Sequence, residues 1–276
     1  MTNQHDRALA FHALHQAAAP LALANVWDAA GARIVAAAGA PAVATTSAGV
    51  AWALGAQDGG KLGRTLALEL TARVVAAVEL PVTADIEDGY ADSAAGVGET
   101  VAGVLAAGAV GINLEDADRT GRAPLRPVDE QAERLAAARA AADAAGIPLY
   151  LNARIDTYLR AVGDPATRRQ ETLDRAAAYV AAGASGVFVP GLTDPAELGA
   201  LTEALSVPLN VLVGPGAPSV AELGKLGVAR VSLGSAVAES AYAVVQRTAR
   251  ELYATGTYDE LGEAIPYGEL NALLHG

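Results

Sequence analysis

Residues 101–116, VAGVLAAGAVGINLED, hold the plan of the chain in a single repeat. An Ala-rich apolar segment closes on Gly108, and the short apolar run Gly111–Glu115 follows and ends in acids. A glycine just past the last helical turn takes the left-handed conformation that caps a helix, so the run behind it reads as a strand. The same helix, glycine, strand layout recurs at 30–39, 137–146, 173–183 and 219–227, leading into candidate strands at 42–46, 149–154, 186–190 and 230–234. Further candidate strands lie at 21–25, 81–85 and 209–213. Near-continuous apolar strands alternating with helices indicate a parallel sheet covered on both faces. Eight such units in about 250 residues predict an α/β fold of the (β/α)8 TIM-barrel type. An open doubly wound sheet is the alternative, but no G-x-G-x-x-G stands at a strand-to-helix turn to recommend it.

No low-complexity linker divides the chain, so residues 1–276 read as one barrel domain. A C-terminal tail at about 257–276 lies beyond the eighth unit, as a turn and then an amphipathic helix from near Pro266. Such a tail packs on a neighbouring subunit or closes the barrel bottom. The first twenty residues read as a short amphipathic helix and lack the pattern of a signal peptide. No apolar stretch reaches the ~18 residues of a membrane span, and the expected compartment is the cytoplasm. A formal charge of −12 argues against nucleic acid or an anionic membrane as partner. With no cysteine anywhere, disulfides, thiolate metal sites and cysteine nucleophiles are excluded.

In a (β/α)8 barrel the chemistry gathers where the strands end, because all eight segments emerge there into one bowl. The third candidate strand ends at Asp85, with Glu87 two residues on, and the fourth ends at Glu115. If the extended geometry persists, Asp85 and Glu87 point the same way. Carboxylates on adjacent strand ends repel unless a hard cation lies between them. Mg2+ suits such a site, with Mn2+ as the alternative, because it takes one or two direct carboxylates and keeps several waters. Asp85 is the expected direct ligand, with Glu87 and Glu115 holding metal-bound waters. The fifth strand places Asn152 and Arg154 on one face, and Arg154 is expected across the barrel from the carboxylates, on a substrate carboxylate, on Glu115 or on both. After the second strand, Thr46, Ser47 and Gly49 offer hydroxyls and close backbone approach to an anion. The Gly-rich loop that follows carries Asp58, which can reach back over the pocket. Trp27 is a candidate pocket wall and Asn210 a candidate substrate contact or a buried structural amide. Asp28 reads as a helix cap, and Asp88, Asp92, Asp116 and Asp118 as caps or surface-loop acids. The four histidines lie near the termini, away from strand ends, which disfavours a histidine base or a zinc site.

Taken together these motifs resemble the isocitrate lyase/phosphoenolpyruvate mutase superfamily. Asp85-Ile86-Glu87-Asp88-Gly89-Tyr90-Ala91 is similar to its D-x-D-T-G-[FY]-G, Ile112–Asp116 to its [VI]-x-[LI]-E-D, and Leu151–Asp156 to its [AL]-x-A-R-[TI]-D. The small-residue turn Thr46–Val50, with Asp58 downstream, resembles the turn after its second strand. The likeness runs in order along nearly the whole chain. It implies a Mg2+-dependent barrel that breaks or forms C–C or P–C bonds in α-oxy carboxylates. Asp85 would bind Mg2+; Asp58, Glu87 and Glu115 would order its waters; Thr46, Ser47 and Gly49 would hold the oxyacid, with Arg154 contacting the substrate. It also implies a homo-oligomer, dimer or tetramer, in which the last barrel helix is exchanged between subunits. The lid at 116–127 departs from the lyase pattern K-[KR]-C-G-H, having no Cys, Lys or His, and Pro190 stands where the lyases place a Glu. The mutases use an Asn in that loop, which this chain also lacks.

The expected activity is a carbon–carbon lyase acting on a small 2-oxo or 2-hydroxy di- or tricarboxylate. Arg119 and Arg122 are candidate lid contacts to a distal carboxylate. Tyr90, Asp58 or a metal-bound water is the candidate proton donor. Oxaloacetate decarboxylation, P–C cleavage of a phosphonopyruvate, and a barrel that binds 2-oxo acids without turnover are the alternatives.

Overall fold

A computed structural model describes residues 3–60 and 62–275. Nine parallel strands form the sheet: β1 (Leu21–Leu23), β2 (Asn25–Val26), β3 (Val43–Thr45), β4 (Val82–Asp85), β5 (Gly111–Glu115), β6 (Tyr150–Arg154), β7 (Gly186–Val189), β8 (Leu209–Leu212) and β9 (Arg230–Ser232). Their order, β1-β9-β8-β7-β6-β5-β4-β3-β2, turns the sheet into a barrel. The predicted first strand is split at Ala24: β1 pairs with β9 and β2 with β3, so two halves of one segment join the edges. Asn25 stitches that seam. Its Nδ2 donates to Thr45 O (2.9 Å), and its Oδ1 accepts from Leu233 N (3.0 Å) and Gly234 N (2.9 Å).

The helices are α1 (Gln4–Leu14), α2 (Ala29–Ala37), α3 (Ser47–Ala53), α4 (Arg64–Ala77), α5 (Ala94–Ala106), α6 (Val128–Ala144), α7 (Arg168–Ala181), α8 (Pro195–Ala204), α9 (Val220–Lys225), α10 (Ala236–Thr255) and α11 (Tyr267–Leu274). Most lie outside the strands, and the alternation along each strand sorts side chains between two environments. On β5, Ile112 and Leu114 join the outer core with Val97, Val101 and Val104 of α5, while Asn113 turns inward. The three valines lie at i, i+4 and i+7, one helical face, and each contributes about 1.5–3 kcal/mol by leaving water. Helix α5 packs along α6, with Gly98 facing Ala137, where a Cβ would meet the carbonyl oxygen at an ordinary contact distance of 3.4 Å.

The barrel floor is closed by α1. Phe11 meets Tyr150 edge-on (centroids 5.5 Å), His15 stacks on Tyr150 (3.7 Å), and Gln4 Nε2 donates to Leu105 O (2.8 Å). Burial pushes His15 down to about 3, so it is a neutral aromatic at physiological pH. The tail does not close this end. Its helix starts after Pro266, as expected, but α11 lies against α2 on the outside. Among the described residues no helix is long and apolar enough to cross a membrane.

Candidate active site

A cavity of about 220 Å3 opens at the C-terminal ends of the strands, lined by Asn25, Thr46, Asp58, Asp85, Asn113 and Arg154 among others. That volume suits a ligand of a few carbon atoms. Asp85, at the end of β4, is held by three donors. Ser47 N–H (3.3 Å) and Ser47 Oγ–H (2.9 Å) reach its Oδ2, and Glu87 N–H reaches its Oδ1 (3.3 Å). Its own N–H is bound by Thr45 Oγ1 (2.9 Å). The carboxylate is therefore oriented before any ligand arrives.

Beyond Asp85 the extended geometry does not persist. Glu87 and Tyr90 take φ of 51° and 50°, and Gly89 takes 92°. Such values are easy for glycine and cost a side-chain-bearing residue of order 1–3 kcal/mol, so this turn is held by its surroundings. It nevertheless leaves Glu87 beside Asp85, for a reason other than strand periodicity. Glu87 is 1% exposed; Oε2 accepts from Gly60 N–H, and among the described residues Oε1 is buried with no partner. Burial, then the charges of Asp58 and Asp85, push its carboxyl up to about 7. An orphaned buried oxygen in a protonatable carboxyl calls for either a proton or a cation-bound water.

Glu115 is placed differently from expectation. Arg119 bonds its Oε1 and Arg154 Nη1 its Oε2 (2.9 Å), so both oxygens are taken. Burial raises its carboxyl, against the opposing pull of Arg154. Arg154 stands beside Glu115, in register on the neighbouring strand, and not across the barrel. It is also held by Asp156, through Nε (2.6 Å) and Nη2 (3.1 Å), yet it still lines the cavity. Ser47 spends its N–H and hydroxyl on Asp85, so it orients the acid where a direct hold on an oxyacid was expected. Gly49 serves packing: a Cβ there would lie 2.9 Å from both Thr46 Cγ2 and Trp27 Cβ. Trp27 accordingly packs with Val50 and Leu62, off the cavity wall. Asn210 lies below the cavity, where its Oδ1 accepts from Ser232 Oγ (3.1 Å). Tyr90 borders an adjoining hollow with Gly59, Gly60, Asp88 and Arg119, and burial, then Glu87, raises its hydroxyl well above the ordinary range. Asp28 caps α2 through Gly31 N–H (2.6 Å).

Of the acids read as caps or surface residues, Asp92 is exposed, while Asp88, Asp116 and Asp118 are buried. Asp88 pairs with Arg126 (2.9 Å). Asp116 accepts from Asp156 N–H (3.0 Å), Tyr179 Oη (3.0 Å) and Arg175 Nη1 (3.2 Å), anchoring the start of the lid. Asp118 does behave as a turn cap, accepting from Thr120 N–H (2.8 Å). Sequence reasoning passed over Asn25, Asn113, Phe188 and Ser232 as cavity residues. The signal was an Asn within four apolar strand runs, at 25, 113, 152 and 210.

The donor set fits a hard cation of modest direct demand. Among the described residues no group of three or more His, Asp or Glu is arranged to grip one ion together. Mg2+ asks for less than that, one or two carboxylates and its own waters, and Asp85 with the orphaned Glu87 Oε1 and Asp58 nearby supplies oxygen donors only.

The sequence profile of phosphoenolpyruvate phosphomutase matches residues 11–253. The chain belongs to that family. A protein of uncharacterized function from Mycobacterium tuberculosis is 38% identical over 268 residues, covering 96% of both chains. The 2-methylisocitrate lyase of Escherichia coli is 31% identical across 74% of this chain and 69% of its own. Oxaloacetate decarboxylase 2 of Pseudomonas putida is 32% identical across 65% and 58%. Among solved structures, a candidate lyase/mutase from Burkholderia cenocepacia is 41% identical with a TM-score of 0.91, covering 99% of this chain and 97% of that one. A phosphonopyruvate hydrolase in complex with oxalate and Mg2+ shares the fold, with 23% identity, a TM-score of 0.83, and 97% and 94% coverage. The PEP mutase/isocitrate lyase family thus stands where the strand-end motifs pointed, and its relatives act as lyases, decarboxylases and mutases.

Proposed function

We propose that this protein is a Mg2+-dependent lyase that cleaves a C–C bond in a small 2-oxo or 2-hydroxy di- or tricarboxylate. The observation that carries the reading is Asp85, oriented by three donors at the edge of a 220 Å3 cavity that also presents Arg154. Asp85 would hold Mg2+, with Glu87 and Asp58 on its waters. When bound, that ion supplies positive charge to stabilise an oxygen that becomes more negative as the neighbouring bond breaks. Arg154, which lines the same cavity, orients a substrate carboxylate, and its bonds to Glu115 and Asp156 keep the guanidinium plane fixed. Thr46, Asn25 and Asn113 offer neutral polar contacts around the ligand. Lid residues 116–127, anchored through Asp116 and Arg126, exclude water.

The lid also favours a second reading. Cleavage of a 2-hydroxy acid needs a proton for the departing carbon, and the lid carries no cysteine, lysine or histidine to give it. Decarboxylation of oxaloacetate releases CO2, which needs none, and the remaining enolate can be protonated from water or by Tyr90. Incubation with Mg2+ or EDTA and isocitrate, 2-methylisocitrate, oxaloacetate or phosphonopyruvate, followed by NMR, tests both. Metal-dependent release of a 2-oxo acid from a tricarboxylate supports the lyase. Pyruvate and CO2 from oxaloacetate alone support the decarboxylase. Binding without turnover on every substrate refutes both and leaves a 2-oxo acid-binding barrel.

The proposal includes assembly as a homo-oligomer. The 20-residue helix α10 buries only Ala238, while Val245 is 64% and Tyr253 85% exposed. Tyr258, Leu261, Ile265 and Tyr267 of the tail are exposed as well, and these are apolar side chains that a neighbouring subunit would cover.

A further inference from the structure

Beneath the cavity the barrel interior holds a cation with, among the described residues, no carboxylate on it. Arg230, at the start of β9, is fully buried, and both of its terminal nitrogens lack an acceptor. Among the described residues, Arg126 and Arg134 each lack a partner at Nε only. Two groups beside Arg230 are under-satisfied as well: among the described residues Asn210 Nδ2 and His15 Nε2 are buried without partners. Asn210 pairs with Arg230 in strand register. Such groups are costly to leave bare, and a lone buried charge most of all. Hydrophobic residues would fill this space at less cost if packing were its sole task.

Two links connect this cation to the site above. Arg230 Nε donates to Ser232 Oγ (3.3 Å), and Ser232 Oγ–H donates to Asn210 Oδ1 (3.1 Å). Ser232 in turn lines the cavity. The second link is charge. Arg154 is already matched by Glu115 and Asp156, and Arg119 by Glu115. Arg230 has no such match; Asp85 is the carboxylate whose charge reaches it, and burial pulls the guanidinium down only to about 10, so it stays cationic.

We propose that Arg230 is a positioning residue that holds Ser232 and Asn210 at the cavity floor and supplies the positive charge that makes the site prefer dianionic over monoanionic oxyacids. The inference rests on the reading of the cavity as a metal-dependent oxyacid site. Calorimetric titration of the intact protein tests it, with Mg2+ alone, then with oxalate and its monoanionic isostere oxamate at saturating Mg2+. Replacing Arg230→Met is expected to weaken oxalate roughly tenfold more than oxamate, about the effect of one pH unit of charge coupling. It should also tighten Mg2+, because a like charge near Asp85 is gone. Arg230→Lys should restore the preference. A collapsed floor would instead weaken Mg2+ and both anions together. If the Met variant does not fold, Arg230→Gln keeps a donor for Ser232, removes the charge, and carries the same comparison. Equal losses for oxalate and oxamate, or an unchanged Mg2+ affinity, overturn the inference while the proposed function stands. A wild-type protein that binds neither Mg2+ nor oxalate overturns both.

Discussion

Replacing Glu87 by Gln should stabilise the metal-free protein at alkaline pH and weaken it in Mg2+. The carboxyl is held at about 7 where its ordinary value is 4.5, chiefly by burial. At 1.36 kcal/mol per pH unit, ionising it in the folded state costs about 3 kcal/mol more than in the unfolded chain. Solvent screening brings this down to about 1–2 kcal/mol. The sign follows from linkage. Between pH 4.5 and 7 the folded state holds the proton longer than the unfolded chain, so wild-type stability falls as pH rises through that window. Above pH 7 the cost is complete. Gln bears no charge and keeps an oxygen for Gly60 N–H, so the variant does not share this fall. Urea unfolding in EDTA at pH 5, 6, 7 and 8 should show the variant gaining steadily on the wild type, to about 1–2 kcal/mol at pH 8. In saturating Mg2+ the order should reverse, because a neutral amide is a poor partner for metal-bound water. A variant whose relative stability in EDTA does not change with pH refutes the assignment of Glu87 as a buried acid awaiting a cation.

Other outcomes follow from the same geometry. Mg2+ binding must displace the Glu87 proton, so calorimetric affinity should rise about fivefold from pH 6 to 7, about tenfold in all by pH 8, and level off above that. Gly49→Ala forces a methyl to 2.9 Å from Thr46 and Trp27 and 3.2 Å from Ala238 Cβ, and should cost about 1–3 kcal/mol in thermal unfolding. Arg175→Met strips Asp116 of its buried ion pair and should destabilise by about 3–5 kcal/mol, read by urea titration. Tyr253→Glu with Val245→Glu on α10 should lower the sedimentation coefficient to that of a monomer while leaving the circular dichroism spectrum unchanged.

Of the fold, most was legible because its signals are local. Gly108, Gly183 and Gly227 end their helices with φ of 93°, 103° and 86°, and each precedes a strand, as a cap must. Strand β5 came out at its expected bounds, 111–115. The split at Ala24 was not legible, since it arises where one segment must pair with β9 below and β3 above to close the ring. Within the site, residues at strand ends were visible because topology alone brings such ends together. Asp85, Thr46, Ser47, Asp58 and Arg154 all reach the cavity.

Which polar group faces which was invisible, because hydrogen-bond partners are chosen through space and not along the chain. Ser47 could have met a ligand but meets Asp85, 38 positions away. Glu115 could have ordered water but is shared by two arginines, and Arg119 comes to it from a lid with no strand register to predict it. Arg230 reads in the sequence as one more basic residue before an apolar run; only the closed barrel puts its charge at the centre, under a cavity and beyond reach of water. Periodicity and helix caps act over a few residues and survive in a linear string. Burial, charge balance and the orphaned atoms of Glu87 and Arg230 depend on what the closed barrel excludes, and so exist only once the chain has folded.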